Sequence, residues 1–299
     1  MGAMPNFLVI GASRSGTTAL HNYLRQHPDV FMPASKEPNF FLADGHPLNF
    51  SGPAADWVNN SVSELADYQA LFEPGERHLA RGEASPLYLF FENAPAAIKA
   101  RVPDVRMIAV LRDPAEQAYS HFMYAKRNML EPLDDFTAAL AREDERIAAG
   151  WQPMFHYSSF PRYGEQLARY FQHFDRSQIQ LFLYEEFDAR PLPVLSEMFA
   201  FIGVDETFEP DVSYRPNASG RPRNKLLQDA VMSPHLITRV AGAMLPRGLR
   251  QRIKDVISGR NVEREELPAE AKAILRARQR EDTLRLQDLI GRDLSAWLK

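Results

Sequence analysis

Three short apolar runs stand out along the first two thirds of the chain. They cover residues 6–11, 105–111 and 179–184. Runs of this length are too short for core helices, and their lack of polar alternation predicts strands that are buried on both faces. Each run is followed by a segment whose apolar positions recur at helical spacing. Strands alternating with helices predict an α/β fold, with a central P-loop-like parallel sheet covered by helices on both faces.

Helical patterns also occupy the middle and the end of the chain. The segments predicted as helices there are 136–147, 163–174 and 269–298. A chain of 299 residues, 45% of them hydrophobic, can bury a large core, so a single domain over 1–299 is expected. It would comprise a core at about 6–203, a basic loop at about 211–228 and a helical C-terminal region at 229–299.

Composition narrows the classes of function. The absence of cysteine excludes thiol nucleophiles, disulfides and thiolate metal ligands, and it is ordinary in a reducing cytosol. A net charge of -4 gives no global basic field, so nucleic acid is not an expected partner. No apolar run reaches the roughly 18–20 residues of a membrane span, and the start lacks a signal-peptide pattern. We therefore expect a cytoplasmic protein, and the histidine spacing predicts no metal site.

The loop after the first predicted strand is the first candidate for chemistry. Gly11 and Gly16 have the spacing of a P-loop, in which backbone N–H groups and a helix N-terminus hold phosphate oxygens. The usual lysine is replaced by Thr17, and the cation of the loop is Arg14. In nucleotide triphosphatases that lysine and a magnesium ion bind the β- and γ-phosphates. A loop without the lysine therefore predicts binding of a smaller anionic group, without an obligatory metal.

The loop Arg-Ser-Gly-Thr-Thr at 14–18 resembles the 5′-phosphosulfate loop of sulfotransferases that use 3′-phosphoadenosine 5′-phosphosulfate (PAPS). In that family an arginine of Arg-Asp-Pro and a serine eight residues later grip the 3′-phosphate, and Arg112 and Ser120 match this spacing. Two such side chains can converge on one dianion through charge-assisted hydrogen bonds. The resemblance implies donor contacts from Arg14, Ser15, Gly16, Thr17, Thr18, Arg112 and Ser120.

The segment Lys-Glu-Pro-Asn-Phe-Phe at 36–41 is similar to the one that carries the catalytic base in bacterial and carbohydrate sulfotransferases. The resemblance implies that Glu37 takes the proton of the acceptor hydroxyl during in-line transfer. Asn39 stands where many relatives have histidine. Arg14 stands where many have lysine; since a guanidinium does not give up its proton, we expect it to neutralise charge on the leaving oxygen.

Three further segments match the family more loosely. Residues 82–88 resemble a stretch that lines the acceptor cleft, with Ala84 in place of a lysine, which makes Ser85 and Tyr88 candidates for that cleft. The resemblance places Tyr184 against the adenine of the donor. A glycine-containing basic loop is the expected lid over the 3′-phosphate, through Ser219, Gly220, Arg221 and Arg223.

These residues predict an enzyme that transfers a sulfuryl group from PAPS, as co-substrate, to an acceptor hydroxyl of a sugar, a glycolipid or a small metabolite. Two alternatives stay open. One is a P-loop kinase-like phosphotransferase, and the other is a nucleotide-binding regulatory protein without catalytic activity. The oligomeric state is also open, a homo-oligomer included.

Overall fold

A five-stranded parallel sheet forms the centre of the molecule, in the strand order β2-β3-β1-β4-β5. The computed structural model describes residues 3–213, 221–222, 262–263 and 265–299. The strands are β1 (Phe7–Gly11), β2 (Val30–Phe31), β3 (Ala80–Ala84), β4 (Arg106–Leu111) and β5 (Ile179–Leu183). A separate two-stranded antiparallel pair joins β6 (Arg221–Pro222) to β7 (Val262–Glu263).

Helices follow most strands of the sheet. They are α1 (Thr17–Leu24), α2 (Phe40–Ala43), α3 (Asp56–Asn59), α4 (Leu65–Ala70), α5 (Ala94–Arg101), α6 (Pro114–Arg127), α7 (Phe136–Ala141), α8 (Glu143–Ala148), α9 (Tyr163–His173), α10 (Tyr184–Ala189), α11 (Pro191–Ile202) and α12 (Ala269–Ile290). Short 3-10 helices lie at Glu73–Gly75, Pro153–Phe155, Arg176–Gln178 and Ser295–Leu298. Within the described ranges, none of these helices has the length and apolar character that crossing a membrane requires.

The sheet is buried on both faces by packed helices. Since successive side chains of a strand point to opposite faces, each strand contributes to both cores. Leu8 and Ile10 of β1 pack into one core with α5, α9 and the end of α12. Phe7 and Val9 pack into a second core with α1 and α11. This burial on both faces explains why β1 and β4 have uninterrupted apolar sequences.

The predicted fold class is confirmed, with corrections at several boundaries. Tyr184 is the first residue of α10 and does not belong to β5. The helix predicted at 136–147 is two helices, α7 and α8. The last predicted helix stops at Ile290, because Gly291 adopts a left-handed conformation with φ 65° that ends α12. The division of the chain into a core, a basic loop and a C-terminal region stays a prediction.

Candidate active site

The candidate residues meet at the carboxyl ends of the strands. The loop at 12–16 leaves β1, Glu37 lies in the segment between β2 and α2, and Arg112 follows β4 directly. From β1 the chain continues to β2 and β3, which lie on one side of β1 in the sheet. It then crosses to β4 and β5 on the other side, so a crevice opens beside β1. Ligands of open α/β sheets bind at such a point.

The loop after β1 presents an uncapped helix start. Gly16 is the N-cap of α1, with φ 82°, and no side chain bonds to the first N–H groups of the helix. A Cβ atom on Gly16 would lie 3.2 Å from the ring of Phe187 and 3.3 Å from that of Tyr184, so both backbone and space require glycine. The hydroxyl of buried Ser15 lies at the same loop, beside the hydroxyl of buried Tyr163. These donors, with Thr17 and half-buried Thr18 on the first turn of α1, can bind an anion.

Arg112 and the helix that follows it, α6, are joined to this loop by three hydrogen bonds. Arg14 Nε donates to Ser120 Oγ at 3.2 Å, and Arg112 Nη1 donates to the carbonyl of Arg14 at 3.2 Å. Gln117 Nε2 donates to the carbonyl of Ser13 at 3.0 Å. The structure thus brings Arg14, Arg112 and Ser120 together, although about a hundred residues separate the loop from α6 in sequence.

Three guanidinium groups surround the site and stack on two tyrosines. The guanidinium carbons of Arg14 and Arg127 lie 4.5 and 5.4 Å from the ring centre of Tyr124, and that of Arg112 lies 4.9 Å from the ring centre of Tyr184. Burial, together with the positive charges of Arg127 and Arg112, lowers the pKa of Arg14 to about 10. Arg14 therefore stays charged at neutral pH, and like charges held this close favour an anion between them.

Asp113, the residue after Arg112, serves the fold. Its carboxylate accepts the N–H groups of Ala115 and Glu116 at the start of α6, at 2.9 and 3.3 Å. It also accepts two hydrogen bonds from Arg276 of α12, at 2.8 and 2.6 Å. Arg112 is instead 3.7 Å from the more exposed Glu116. Its guanidinium is thereby left near the loop, where a ligand phosphate can reach it.

Glu37 lies across the cleft from the loop. Its side chain is 46% exposed and pairs with Lys36, and its backbone N–H donates to the carbonyl of Ala84 at 3.2 Å. Glu37 has φ 62°, the left-handed region that residues with a Cβ rarely occupy. Glu37 and Arg14 line one cleft of about 160 Å³. Its lining is completed by Ser13, Thr17, Thr18, Asn39, Trp57, Val58, Pro86, Leu87, His121, Tyr124, Gln152, Pro153, Met154 and Phe160.

The far wall of the cleft is mainly aromatic and apolar. Trp57 is 52% exposed there and meets Tyr124 edge to face at 6.4 Å, with Met154 and Phe160 nearby. Apolar walls with a few polar groups are typical of small-molecule sites.

The expectation that Ser85 and Tyr88 line the acceptor cleft is wrong. Both are completely buried, and the residues between them, Pro86 and Leu87, line the cleft in their place. Their hydroxyls point inward to Glu83, a buried carboxyl group on β3 that the sequence analysis did not select. The direction of a side chain after a strand end depends on a turn that the pattern of residues does not specify.

The remaining predicted donor residues are placed only in part. The ring of Tyr184 lies beside Gly16 and under Arg112, at the edge of the site, and an adenine contact stays a prediction. Arg221 begins β6, where only the backbone is described. Ser219, Gly220 and Arg223 lie outside the described residues, so the lid over the 3′-phosphate stays a prediction. In the part of the chain that is described, no three His, Asp or Glu side chains cluster as metal ligands.

A family model described as the sulfotransferase domain matches residues 4–218, well over half of the chain. The chain belongs to the sulfotransferase family. A solved sulfotransferase from Alicyclobacillus acidocaldarius is 30% identical, with a TM-score of 0.79 over 99% of this chain and 100% of that one. Mouse sulfotransferase SULT7A1, solved in complex with PAP, shares the fold at 12% identity, with a TM-score of 0.51 over 94% of this chain and 85% of that one.

Curated sulfotransferases are similar over shorter shares of their own length. Mouse heparan sulfate glucosamine 3-O-sulfotransferase 3B1 is 25% identical over 255 residues, which are 85% of this chain and 60% of the relative. The membrane-associated sulfotransferase kil1 of Dictyostelium discoideum is 28% identical over 148 residues, which are 48% of this chain and 29% of the relative. The chain thus spans less than two thirds of the length of these relatives. The predicted family is confirmed.

Proposed function

We propose that this sulfotransferase transfers the sulfuryl group of PAPS to a hydroxyl group of a sugar, a glycolipid or a small metabolite. The observation that carries the proposal is the meeting of three features in one cleft. These are the uncapped start of α1, the guanidinium of Arg14 and the carboxylate of Glu37, and Arg112 adjoins them through its hydrogen bond to the carbonyl of Arg14. An anion site beside an exposed carboxylate suits a reaction in which an acceptor hydroxyl attacks an anionic donor.

The residues present fit a nucleotide that carries an anionic group at each of two positions. The free N–H groups at the start of α1 and the hydroxyl of Ser15 would hold the 5′ end, and Arg112 with Ser120 would hold the 3′-phosphate. When bound, PAPS supplies an activated sulfuryl group. The PAP complex of SULT7A1, a protein with the same fold, supports this assignment. Anchoring a donor far from its reacting atom lowers the barrier by fixing its orientation in advance.

Glu37 would act as the general base. Its carboxylate is open to the cleft, where it can accept the proton of an acceptor hydroxyl, and it pairs with Lys36. Arg14 stays protonated and would neutralise the negative charge that grows on the leaving oxygen. The similar heparan sulfate enzymes support a carbohydrate as one acceptor class, whereas the apolar wall around Trp57 also suits an aromatic alcohol.

The two alternatives lose support from specific contacts. A P-loop kinase needs a lysine where Thr17 stands and an acid at a strand end to hold magnesium. Asp113 stands at such an end, but its oxygens already accept hydrogen bonds from two backbone N–H groups and Arg276. A regulatory protein without activity would have no need for Glu37 in a left-handed conformation that faces the anion site.

Substitution of Glu37 by glutamine tests the proposal. Transfer from radiolabelled PAPS would be followed with 4-nitrophenol, octyl glucoside and heparosan oligosaccharides as acceptor probes. For any probe that the wild type sulfates, Glu37→Gln should lower the rate about a hundredfold or more, the scale of general-base catalysis, with PAP affinity unchanged. Glu145→Gln, which removes a 67% exposed carboxylate on α8, is the matched control and should keep full activity. An undiminished rate in Glu37→Gln would contradict the assignment.

A further inference from the structure

A carboxyl group without a place in the chemistry above lies buried beneath the cleft. Glu83, on β3, is 1% exposed. Tyr68 donates to its Oε1 at 3.2 Å, Ser85 donates to its Oε2 at 2.8 Å, and Tyr88 forms a third hydrogen bond. Burial raises the pKa of Glu83 to about 7, and the three hydroxyl groups and the charge of Lys36 oppose that rise. A core would more cheaply hold an apolar side chain here, so this carboxyl group needs an explanation.

The hydroxyl groups bound to Glu83 also contact the segment that carries the proposed base. Ser85 Oγ accepts the backbone N–H of Asn39 at 3.0 Å, and Tyr88 Oη accepts that of Phe41 at 3.5 Å. With the bond from Glu37 N–H to the carbonyl of Ala84, every second N–H of residues 37–41 is tied to β3 or to the turn that follows it.

The aromatic rings of the same residues fix the side chains of this segment. Phe40 stacks on Tyr68 with ring centres 4.4 Å apart, and Phe41 packs edge to face on Tyr88 at 5.4 Å. Glu37 and Asn39 have φ angles of 62° and 53°. Left-handed residues other than glycine cost roughly 1–3 kcal/mol each and persist only where their surroundings impose them. The contacts with Tyr68, Ser85 and Tyr88 provide such surroundings.

The chemistry of a carboxylate explains why glutamate is suited to this place. With its pKa of about 7, Glu83 is ionised above neutral pH and then has no carboxyl hydrogen, so the hydroxyl hydrogens of Ser85 and Tyr88 turn towards it and leave their lone pairs for the N–H groups of Asn39 and Phe41. An amide NH2 in the same position would force one hydroxyl to turn round. That hydroxyl would then direct its hydrogen at a backbone N–H, and the tie to the segment would be lost.

We propose that Glu83 is a positioning residue that holds Glu37 in the cleft through the hydroxyl groups of Ser85 and Tyr88. The inference rests on the proposed function, because it takes Glu37 to be the base. Glu83 touches neither the donor loop nor the cleft and acts only through the backbone of residues 37–41.

A double-mutant cycle separates positioning from general stability. Glu83→Gln should lower kcat about tenfold with the KM for PAPS unchanged, since small displacements of a reacting group cost that much or more. In a Glu37→Gln background the same change should have no further effect, because the residue that it positions is gone. Tyr170→Phe removes another buried hydroxyl, bonded to the carbonyl of Tyr88 and not to residues 37–41, and should keep its kcat.

Hydrogen exchange supplies a readout that needs no acceptor. In PAP-saturated protein, Glu83→Gln should speed exchange of the Asn39 and Phe41 amides by about tenfold or more and leave the amides of α9 unchanged. Tyr88→Phe, which keeps the ring, should release only Phe41 and stands in if Glu83→Gln fails to fold. Unchanged exchange at both amides, or an equal loss of kcat with and without Glu37, would overturn the proposal. Full activity in Glu37→Gln alone would instead overturn the proposed base.

Discussion

Removal of the Arg276 guanidinium should loosen the start of α6, the helix that contributes Ser120. Arg276 makes two charge-assisted hydrogen bonds to Asp113, at 2.8 and 2.6 Å, and each of the two side chains is only 13% exposed. In Arg276→Ala the Asp113 carboxylate would keep only the N–H groups of Ala115 and Glu116. A desolvated charge with fewer partners destabilises the folded state.

The size of the effect follows from these contacts. Breaking one side of a buried ion pair costs about 3–5 kcal/mol, and the two remaining N–H bonds place this case at about 2–3 kcal/mol. With an unfolding entropy of about 2.1 cal/mol/K per residue, the 299 residues give roughly 0.6 kcal/mol/K, so the Tm should fall by about 3–5 °C.

Calorimetric melting of the purified variant measures this shift. Arg280→Ala is the matched control, because Arg280 lies four residues along α12, is exposed and forms no hydrogen bond or ion pair with the described residues. Its Tm should change by less than about 1 °C, as is usual for exposed side chains. Equal melting temperatures for Arg276→Ala and Arg280→Ala would refute the idea that α12 fixes the start of α6.

Two other predictions concern the loop and the acid stability of the protein. Gly16→Ala should weaken PAP binding in calorimetric titrations, because the new Cβ would meet two aromatic rings. Gly45 is equally left-handed but has open space around it, so Gly45→Ala should bind PAP normally. An equal loss of PAP affinity in both variants would contradict this. Burial, with nearby cations, lowers the pKa of His21 and His121 to about 3. As the pH falls, these two histidines are protonated in the unfolded chain before they are protonated in the folded one. The free energy of unfolding from denaturant titrations should therefore be full above about pH 6.5 and fall as the pH decreases towards 3. In His121→Asn this free energy should depend less on pH.

The parts of the site that lie next to one another in sequence could be predicted. The loop from Gly11 to Thr18 could be predicted to bind an anion because its features are local in sequence: two glycines, a helix start and a cation. Arg112 and Ser120 were identified through the family resemblance, and a strand end followed by a helix of known pitch agrees with their spacing. These residues do meet, with Arg14 bonded to Ser120.

The parts that depend on distant contacts could not be predicted. Strand β3 is interrupted by Arg81, Gly82 and Glu83, so it shows no apolar run, although β1 and β2 cover it on both edges. The role of Glu83 depends on three hydroxyl groups gathered from two parts of the chain. Arg276 reaches Asp113 across 163 positions, and no local pattern identifies such a partner.

The most direct test of the donor site is a calorimetric titration with PAP, run beside ATP with magnesium, on the wild type and on Arg112→Ala. Arg112 lies beside the loop, and its ion pair with the exposed Glu116 is long, at 3.7 Å, so its guanidinium should supply a large share of the binding energy for the 3′-phosphate. We expect micromolar PAP binding in the wild type, binding at least about tenfold weaker in Arg112→Ala, and weak binding of ATP with magnesium in both. Tighter binding of ATP than of PAP, or equal PAP binding by wild type and Arg112→Ala, would contradict the assignment of this cleft to PAPS.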